Sequence, residues 1–256
     1  MDEMFRVRFS REEIEELRNT LSEMKNPVEV YTFVDERCRY CSNTVKLVEV
    51  LSDASPSSNG GKLIKHTVVS RGNDALGLFK KFNVSRVPTV AFLDGYIRYT
   101  GMPAGEEIRG FIETLIRLST GDSGLSQSTV ETLSKLKGLV RVEVIVTPTC
   151  PYCPYAALLA NMFAFESYRL GNKVVVADVV EAYENPDIAD MYGVMTVPTI
   201  AINGEVEFVG VPYEDQFLEK VVEHSNKAYL KQKKKEEYMR LLKELEKDTT
   251  QDKDVK

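Results

Sequence analysis

The feature that most constrains this chain is an internal duplication. Cys38-Arg39-Tyr40-Cys41 and Cys150-Pro151-Tyr152-Cys153 share a C-x-Tyr-C frame, with their first cysteines 112 positions apart. Val87-Pro88-Thr89 returns as Val197-Pro198-Thr199 at an offset of 110. Asp94-Gly95 returns as Asn203-Gly204, and Gly101-Met102-Pro103 as Gly210-Val211-Pro212, both at 109. Four landmarks in one order, with offsets that drift by three residues, define a unit of about 110 residues present twice. A repeat of that length is a whole domain rather than a solenoid turn.

Each copy shows the same alternation of periods. The first opens on a helix capped by Ser10, with Glu13 completing a capping box and Ile14, Leu17, Leu21 and Met24 at helical spacing. The second opens near Ser128, with Val130, Leu133 and Leu136. Strands rich in β-branched residues follow at 28–34 and 139–146. A long helix follows the first cysteine of each pair, ending before the Ser55–Gly61 stretch in copy one and near Leu170 in copy two. Further strands are expected at 63–69 and 173–180, then a short helix, a hairpin on Asp94-Gly95 or Asn203-Gly204, and closing helices at 106–118 and 213–223. Beyond the opening helix each copy reads β-α-β-α-β-β-α. This is an α/β chain of two tandem units, each a central mixed β-sheet flanked by helices: 1–120 with C-R-Y-C and 125–225 with C-P-Y-C. The polar segment 119–124 links them. Residues 226–256 form a charged, partly helical tail in which Tyr238, Leu241, Leu242 and Leu245 fall on one face, expected to fray after about Asp248. That tail reads as a solvated extension, with a docking helix as the alternative.

Charge and length narrow the function. With 33 basic and 39 acidic residues the net charge is −6 and the pI is near 5.3, so nucleic acid is not the expected partner. The longest apolar run, Ala156–Phe165, has ten residues and contains Asn161, too short to span a bilayer. The opening MDEMFRVRFS lacks a signal-peptide core, and the expected location is cytoplasmic, without membrane partners.

The cysteines carry the chemistry. A C-x-x-C pair that follows a strand and leads into a helix places its first sulfur where first-turn N–H groups are free and the helix dipole favours negative charge. Both effects lower a thiol pKa from ~8.5, and the thiolate is the attacking species. The second sulfur, three residues on, can attack the resulting mixed disulfide and release the partner. This assigns attack to Cys38 and Cys150 and resolution to Cys41 and Cys153. A shared Cys₄ zinc site is the competing reading, but zinc ribbons separate their pairs by ~15–20 residues, and 108 lie between Cys41 and Cys150. Inert structural disulfides are the other. His66 and His224 read as structural or solvated. Local charges offset around Cys38, where Asp35 and Glu36 precede Arg37 and Arg39, whereas Cys150 sits in an uncharged, proline-stiffened stretch. The lower thiol pKa is therefore expected at Cys150.

Both copies resemble thioredoxin-fold units. Cys150-Pro151-Tyr152-Cys153 is similar to the glutaredoxin signature, and Glu184-Asn185-Pro186, Tyr192-Gly193-Val194 and Val197-Pro198-Thr199 are similar to a thioredoxin segment. The tandem, over roughly residues 10–225, resembles the protein disulfide oxidoreductases of archaea and thermophilic bacteria. That resemblance implies cis bonds before Pro88 and Pro198, with the backbone of Val87 and Val197 left to pair with an extended substrate. It implies exchange with protein dithiols and disulfides, no cofactor beyond the pairs Cys38–Cys41 and Cys150–Cys153, no metal, and electrons passed to or from a thioredoxin reductase-like flavoprotein, with glutathione as the other candidate. The chain departs from thioredoxin at the position six before each first cysteine, where Thr32 and Val144 replace a buried acid. Glu29 and Glu143 lie on the same strands in other registers, and Glu143, between Val142 and Val144, is the candidate proton acceptor, a solvated strand-end carboxylate being the alternative. Two other functions stay open: an electron-relay module dedicated to one reductase or peroxidase system, and a non-catalytic chaperone or binding module.

Overall fold

The computed structural model describes residues 5–251, with side chains described to Leu242. Copy one runs α1 (Arg11–Leu21), β1 (Val28–Val34), α2 (Cys41–Ala54), a small hairpin of β2 (Ser57–Ser58) and β3 (Gly61–Lys62), β4 (Ile64–Ser70), α3 (Leu78–Lys81), β5 (Thr89–Phe92), β6 (Ile97–Thr100) and α4 (Glu107–Thr120). Copy two runs α5 (Gln127–Leu133), β7 (Val140–Val146), α6 (Cys153–Arg169), β8 (Val175–Glu181), α7 (Pro186–Met191), β9 (Thr199–Ile202), β10 (Glu205–Val209) and α8 (Glu214–Gln251). The alternation read from the sequence is present in both copies. The Ser10–Glu13 capping box is formed in full. Copy two's opening helix is capped by Ser126, two residues before the expected start.

The closing helix of copy two departs from expectation. Instead of ending at Glu223, α8 continues as one helix of 38 residues. No Gly or Pro interrupts it, and Lys227–Glu223 at 2.8 Å spans the expected break. Gly138 lies against it so closely that a Cβ there would sit 1.9 Å from the Ser225 carbonyl oxygen. The tail is thus the outer half of α8, where Leu230, Tyr238 and Leu241 are exposed. The backbone is helical through Gln251, so the expected fraying is not seen before it, and 252–256 lie outside the described residues. Among the described residues no helix is long and apolar enough to cross a membrane.

The two units share one sheet. Its eight strands run β10-β9-β7-β8-β6-β5-β1-β4, so the copies join where β6 pairs in parallel with β8, from Ile97↔Ala177 to Thr100↔Val180. A continuous core of Val, Ile, Leu, Phe and Ala lies between one face of this sheet and the long helices of both copies, while Phe33, Phe79 and Phe82 form a smaller cluster under α3. At the joint, Arg98 Nε lies 2.9 Å from Asp178 Oδ2 and the Thr100 hydroxyl donates to Asp178 Oδ1 at 2.7 Å. Both charged side chains are largely buried.

Removing one partner of a buried pair leaves the other charge unpaired, at a cost of about 3–5 kcal/mol. Arg98→Met should therefore lower the denaturant midpoint far more than Arg18→Met, whose ion pair with Glu15 is exposed. Equal midpoints for the two variants would show that the joint does not depend on this pair.

Candidate active sites at one end of the sheet

β1, β4, β6, β7, β8 and β10 run in one direction and β5 and β9 in the other. The carboxyl ends of β1 and β7, which lead into the cysteine motifs, therefore share one end of the sheet with the amino ends of β5 and β9. Both Val87-Pro88 and Val197-Pro198 peptides, just before β5 and β9, are cis, as the resemblance implied. Each dithiol thus faces its own proline turn.

The cysteines are paired within their motifs, Cys38 with Cys41 and Cys150 with Cys153. Each second cysteine is the first residue of its helix, and Tyr40 and Tyr152 cap α2 and α6 without a side-chain hydrogen bond. First-turn amides are consequently left for the sulfur. At the second site this contact is made: Cys153 N–H donates to Cys150 Sγ at 3.1 Å. The Val197 carbonyl oxygen lies 3.6 Å from the same sulfur. Cys150 is 7% exposed and borders an open groove of about 550 Å³ that also meets Pro151, Tyr152, Tyr183, Met195 and Val197. At the first site, among the described residues, no amide donates to Cys38 Sγ. Cys38 is half-buried and borders a groove of about 560 Å³ with Arg37, Arg39, Tyr40, Pro88 and Glu184. Tyr183 forms a wall of both grooves.

Two residues singled out from the sequence lie elsewhere. Glu143 accepts a hydrogen bond from the Tyr192 hydroxyl and borders a polar cleft at the joint with Arg86, Arg98 and Asp178, which no cysteine lines. Glu29 is exposed on β1. Thr32, at the departed position, is fully buried and hydrogen-bonded to His66 Nε2 at 2.8 Å. Burial holds that imidazole down at about 4, so it is neutral at physiological pH. His224 is buried against Glu207 at 2.7 Å. With Glu205 these two could hold a metal ion, but Lys220, 2.9 Å from Glu207, already places a positive charge there.

A group of buried and half-buried acids at the joint carries no mark in the sequence. Glu107, the first residue of α4, is 1% exposed, and neither carboxyl oxygen has a hydrogen-bond partner. Burial, reinforced by nearby Glu181, pushes its pKa up to about 8. Burial also raises Glu181, whose carboxylate accepts from the Tyr183 and Glu184 amides. Glu184, which accepts from Met102 N–H at 2.6 Å, is pushed up to about 7. The cross-copy packing that encloses them is close. Gly105, at φ +58, leaves room for the Pro148 carbonyl that accepts Glu106 N–H, and a Cβ on Gly110 would lie 3.1 Å from Pro154. Glu107 is one turn before Gly110 on α4, the helix that packs against α6. An acid in a helix's first turn is ordinary in sequence, and nothing local distinguishes this one.

Comparisons with known proteins agree with this geometry. A family profile described as Thioredoxin domain matches residues 28–113 and again 140–223. Thioredoxin of Methanocaldococcus jannaschii is 38% identical over 82 residues, 32% of this chain and 92% of the relative. The crystal structure of a protein disulfide oxidoreductase from Aeropyrum pernix is 52% identical, with a TM-score of 0.84 over 89% of this chain and 97% of that one. The N-terminal domain of alkylhydroperoxide reductase AhpF from Enterococcus faecalis shares the fold at 17% identity, with a TM-score of 0.72 over 84% of this chain and 100% of that domain. The chain belongs to the thioredoxin-domain family.

A carboxyl whose folded pKa exceeds its unfolded value stabilises the fold below the unfolded pKa and loses that contribution as pH rises through the folded one. For Glu107 the window is from about 4.5 to about 8, and the loss is on the order of 5 kcal/mol. Glu107→Gln should flatten the fall in thermal midpoint between pH 5 and 9. An equally steep fall in the variant would place the titration elsewhere.

Proposed function

We propose, from that membership and the two grooves, that the chain is a protein disulfide oxidoreductase whose two units, 1–120 and 125–225, each carry one working dithiol. The observation that carries this reading is the Cys153 amide directed at Cys150 Sγ, at the start of a 17-residue helix and beside an open groove. Amide and helix dipole stabilise a thiolate there.

Cys150 or Cys38 attacks one sulfur of a partner's disulfide, forming a mixed disulfide and expelling the partner's other sulfur as a thiolate, which takes a proton. Cys153 or Cys41, once deprotonated, attacks the first cysteine's sulfur and expels the remaining partner thiolate, which takes a second proton. The partner gains two electrons, and the chain is left with one closed disulfide. Run in reverse, the same steps deliver a disulfide. Val87 and Val197, ahead of Pro88 and Pro198, offer their backbone to an extended substrate strand. Glu107 is the group we assign to accept the Cys153 proton, since its helix α4 packs on α6 and burial gives it a pKa suited to proton transfer near neutrality. Glu143 instead holds Tyr192. Electrons are exchanged with a flavoprotein of the thioredoxin reductase type in the cytoplasm.

Insulin reduction with dithiothreitol should be slowed by Cys150→Ser more than by Cys38→Ser and abolished when both are changed; undiminished activity in the double variant would refute the reading. Thiolate absorbance titration should place Cys150 below Cys38, and the reverse order would overturn that ranking. Resolution of the Cys150 mixed disulfide, followed from pH 5 to 9, should slow roughly tenfold or more in Glu107→Gln. A comparable loss in Glu143→Gln but not Glu107→Gln would return the role to Glu143.

A further inference from the structure

The turn that follows β8 belongs to copy two yet ends beside the first dithiol. Glu184 in that turn borders the same groove as Cys38, Val87 and Pro88. Among the described residues, it does not border the Cys150 groove. The sheet order gives the reason. Beyond β5 lie β6 and then β8, whereas β10, the matching strand beyond β9, ends the sheet. A carboxyl delivered by a neighbouring strand from that side therefore reaches the first site alone.

Two successive amides of the loop after β6 set its place. Gly101 N–H donates to the Pro88 carbonyl at 2.9 Å, and Met102 N–H donates to Glu184 Oε1 at 2.6 Å. The carboxyl and the cis-proline turn are thus held side by side. Gly101 is at φ +99, and a Cβ there would lie 2.7 Å from Glu181 Cβ and 3.2 Å from Glu184 Oε1, so loop and turn touch closely. On the other side of Glu184, Asn185 Nδ2 donates to the Thr100 carbonyl at 3.3 Å and to the Glu181 carbonyl at 3.0 Å. The side chain is half-buried. Its Oε1 is taken by Met102, and among the described residues Oε2 makes no hydrogen bond.

The charges around this carboxyl let it hold a proton near neutrality. Burial pushes it up to about 7, against the Met102 amide, which lowers it, and with Glu181 adding to the rise. From copy one, Asp35, Arg37 and Arg39 border the groove, and Glu36 is exposed beside them. These two acids and two arginines offset one another. Asp35 is also paired with Arg71 at 3.1 Å, the Arg39 guanidinium lies over the Tyr40 ring, and Arg86 is paired with Asp187. Among the described residues none of these groups forms an ion pair with Glu184. A carboxyl in that range can both give and take a proton at physiological pH.

We propose that Glu184 gives a proton to, and takes one from, the partner's sulfur at the first dithiol, so that copy two completes the active site of copy one. The inference rests on the reading that Cys38 and Cys41 exchange with protein disulfides, and it adds a proton-transferring group to that site. The Cys38 thiolate attacks one sulfur of the partner's disulfide, and the S–S electron pair leaves on the other. That sulfur takes the proton of the Glu184 carboxyl, and the carboxylate regains one from water. In the oxidising direction the carboxylate takes the proton of a partner thiol while that sulfur attacks Cys38 and Cys41 leaves as a thiolate. An alkyl thiolate is a poor leaving group and gains from protonation. A pyridinethiolate, whose charge spreads into its ring, leaves unaided.

The test uses the full chain with Cys150→Ser and Cys153→Ser, reduced and freed of reductant. Two small disulfides serve as probes: bis(2-hydroxyethyl) disulfide, which releases an alkyl thiol, and 4,4′-dithiodipyridine, which releases an aromatic one. Glu184→Gln keeps an oxygen for the Met102 amide but holds no transferable proton. It should slow the alkyl probe about tenfold at pH 7 and change the aromatic probe by less than about twofold. Before that change, the ratio of alkyl to aromatic rate should fall as pH rises through about 7, where the donor is lost. In Glu184→Gln the ratio should be flat. An unchanged alkyl rate overturns the proposal, and so does equal slowing of both probes, which would make Glu184 a brace of the fold. A protein that carries Glu184 and reacts with neither probe overturns the oxidoreductase reading of Cys38 and Cys41, and the proposal with it.

Discussion

The parallel pairing of β6 with β8 is the contact on which the rest of the molecule depends. Without it, and the packing of α4 on α6 that accompanies it, the chain would be two small domains on a linker, each with an unpaired edge strand. The joint is head to tail, since the inner edge of copy two meets the outer edge of copy one. Such an interface can in principle repeat into an open filament. The duplicated positions have diverged to prevent that. Arg98 on β6 corresponds to Glu207 on β10, and Asp178 on β8 to Thr67 on β4, so the free edges lack the pair that closes the joint. Glu207 is turned to Lys220 and His224 within its own unit.

The joint also decides what lies between the sites. Because β1, β7 and β8 run the same way, the turn after β8 emerges between the two dithiols and supplies Tyr183 and Glu184 to the grooves. The loop after β6 packs against Pro148, two residues before Cys150, and at the joint Glu107 and Glu181 are buried and Glu184 half-buried. Low-dielectric surroundings favour their neutral forms. Each unit thus completes part of the other's active-site surroundings, which separate domains could not do.

Duplication gave the two sites one geometry and left their surfaces free to differ. The backbone features, a helix starting at the second cysteine and a cis proline turn opposite, are held in common. The rim residues project into solvent and are not tied by core packing, so Thr149 and Pro151 can stand where Arg37 and Arg39 stand at no cost to the fold. The amide contact to Cys150 Sγ, without a counterpart at Cys38 among the described residues, is a finer difference of the same kind.

Apart from the small β2–β3 hairpin, which falls in an expected loop, the strands, the helices, the order of elements and the positions of the four cysteines are legible in the sequence, because each is written in local patterns: alternation at period two, recurrence at 3.6, a capping box at Ser10, turn residues at Asn203-Gly204. The continuation of α8 past Glu223 was legible less well, since a shift to charged composition changes solubility without breaking a helix. Three things were settled only by the tertiary structure: which edges of the two copies meet, the burial of Glu107, and the packing of Phe5 on Tyr40. These are contacts between residues far apart in the chain or across copies, and no periodicity encodes them. An acid in a first helical turn and an aromatic ring near a chain end look ordinary until packing removes the water around them.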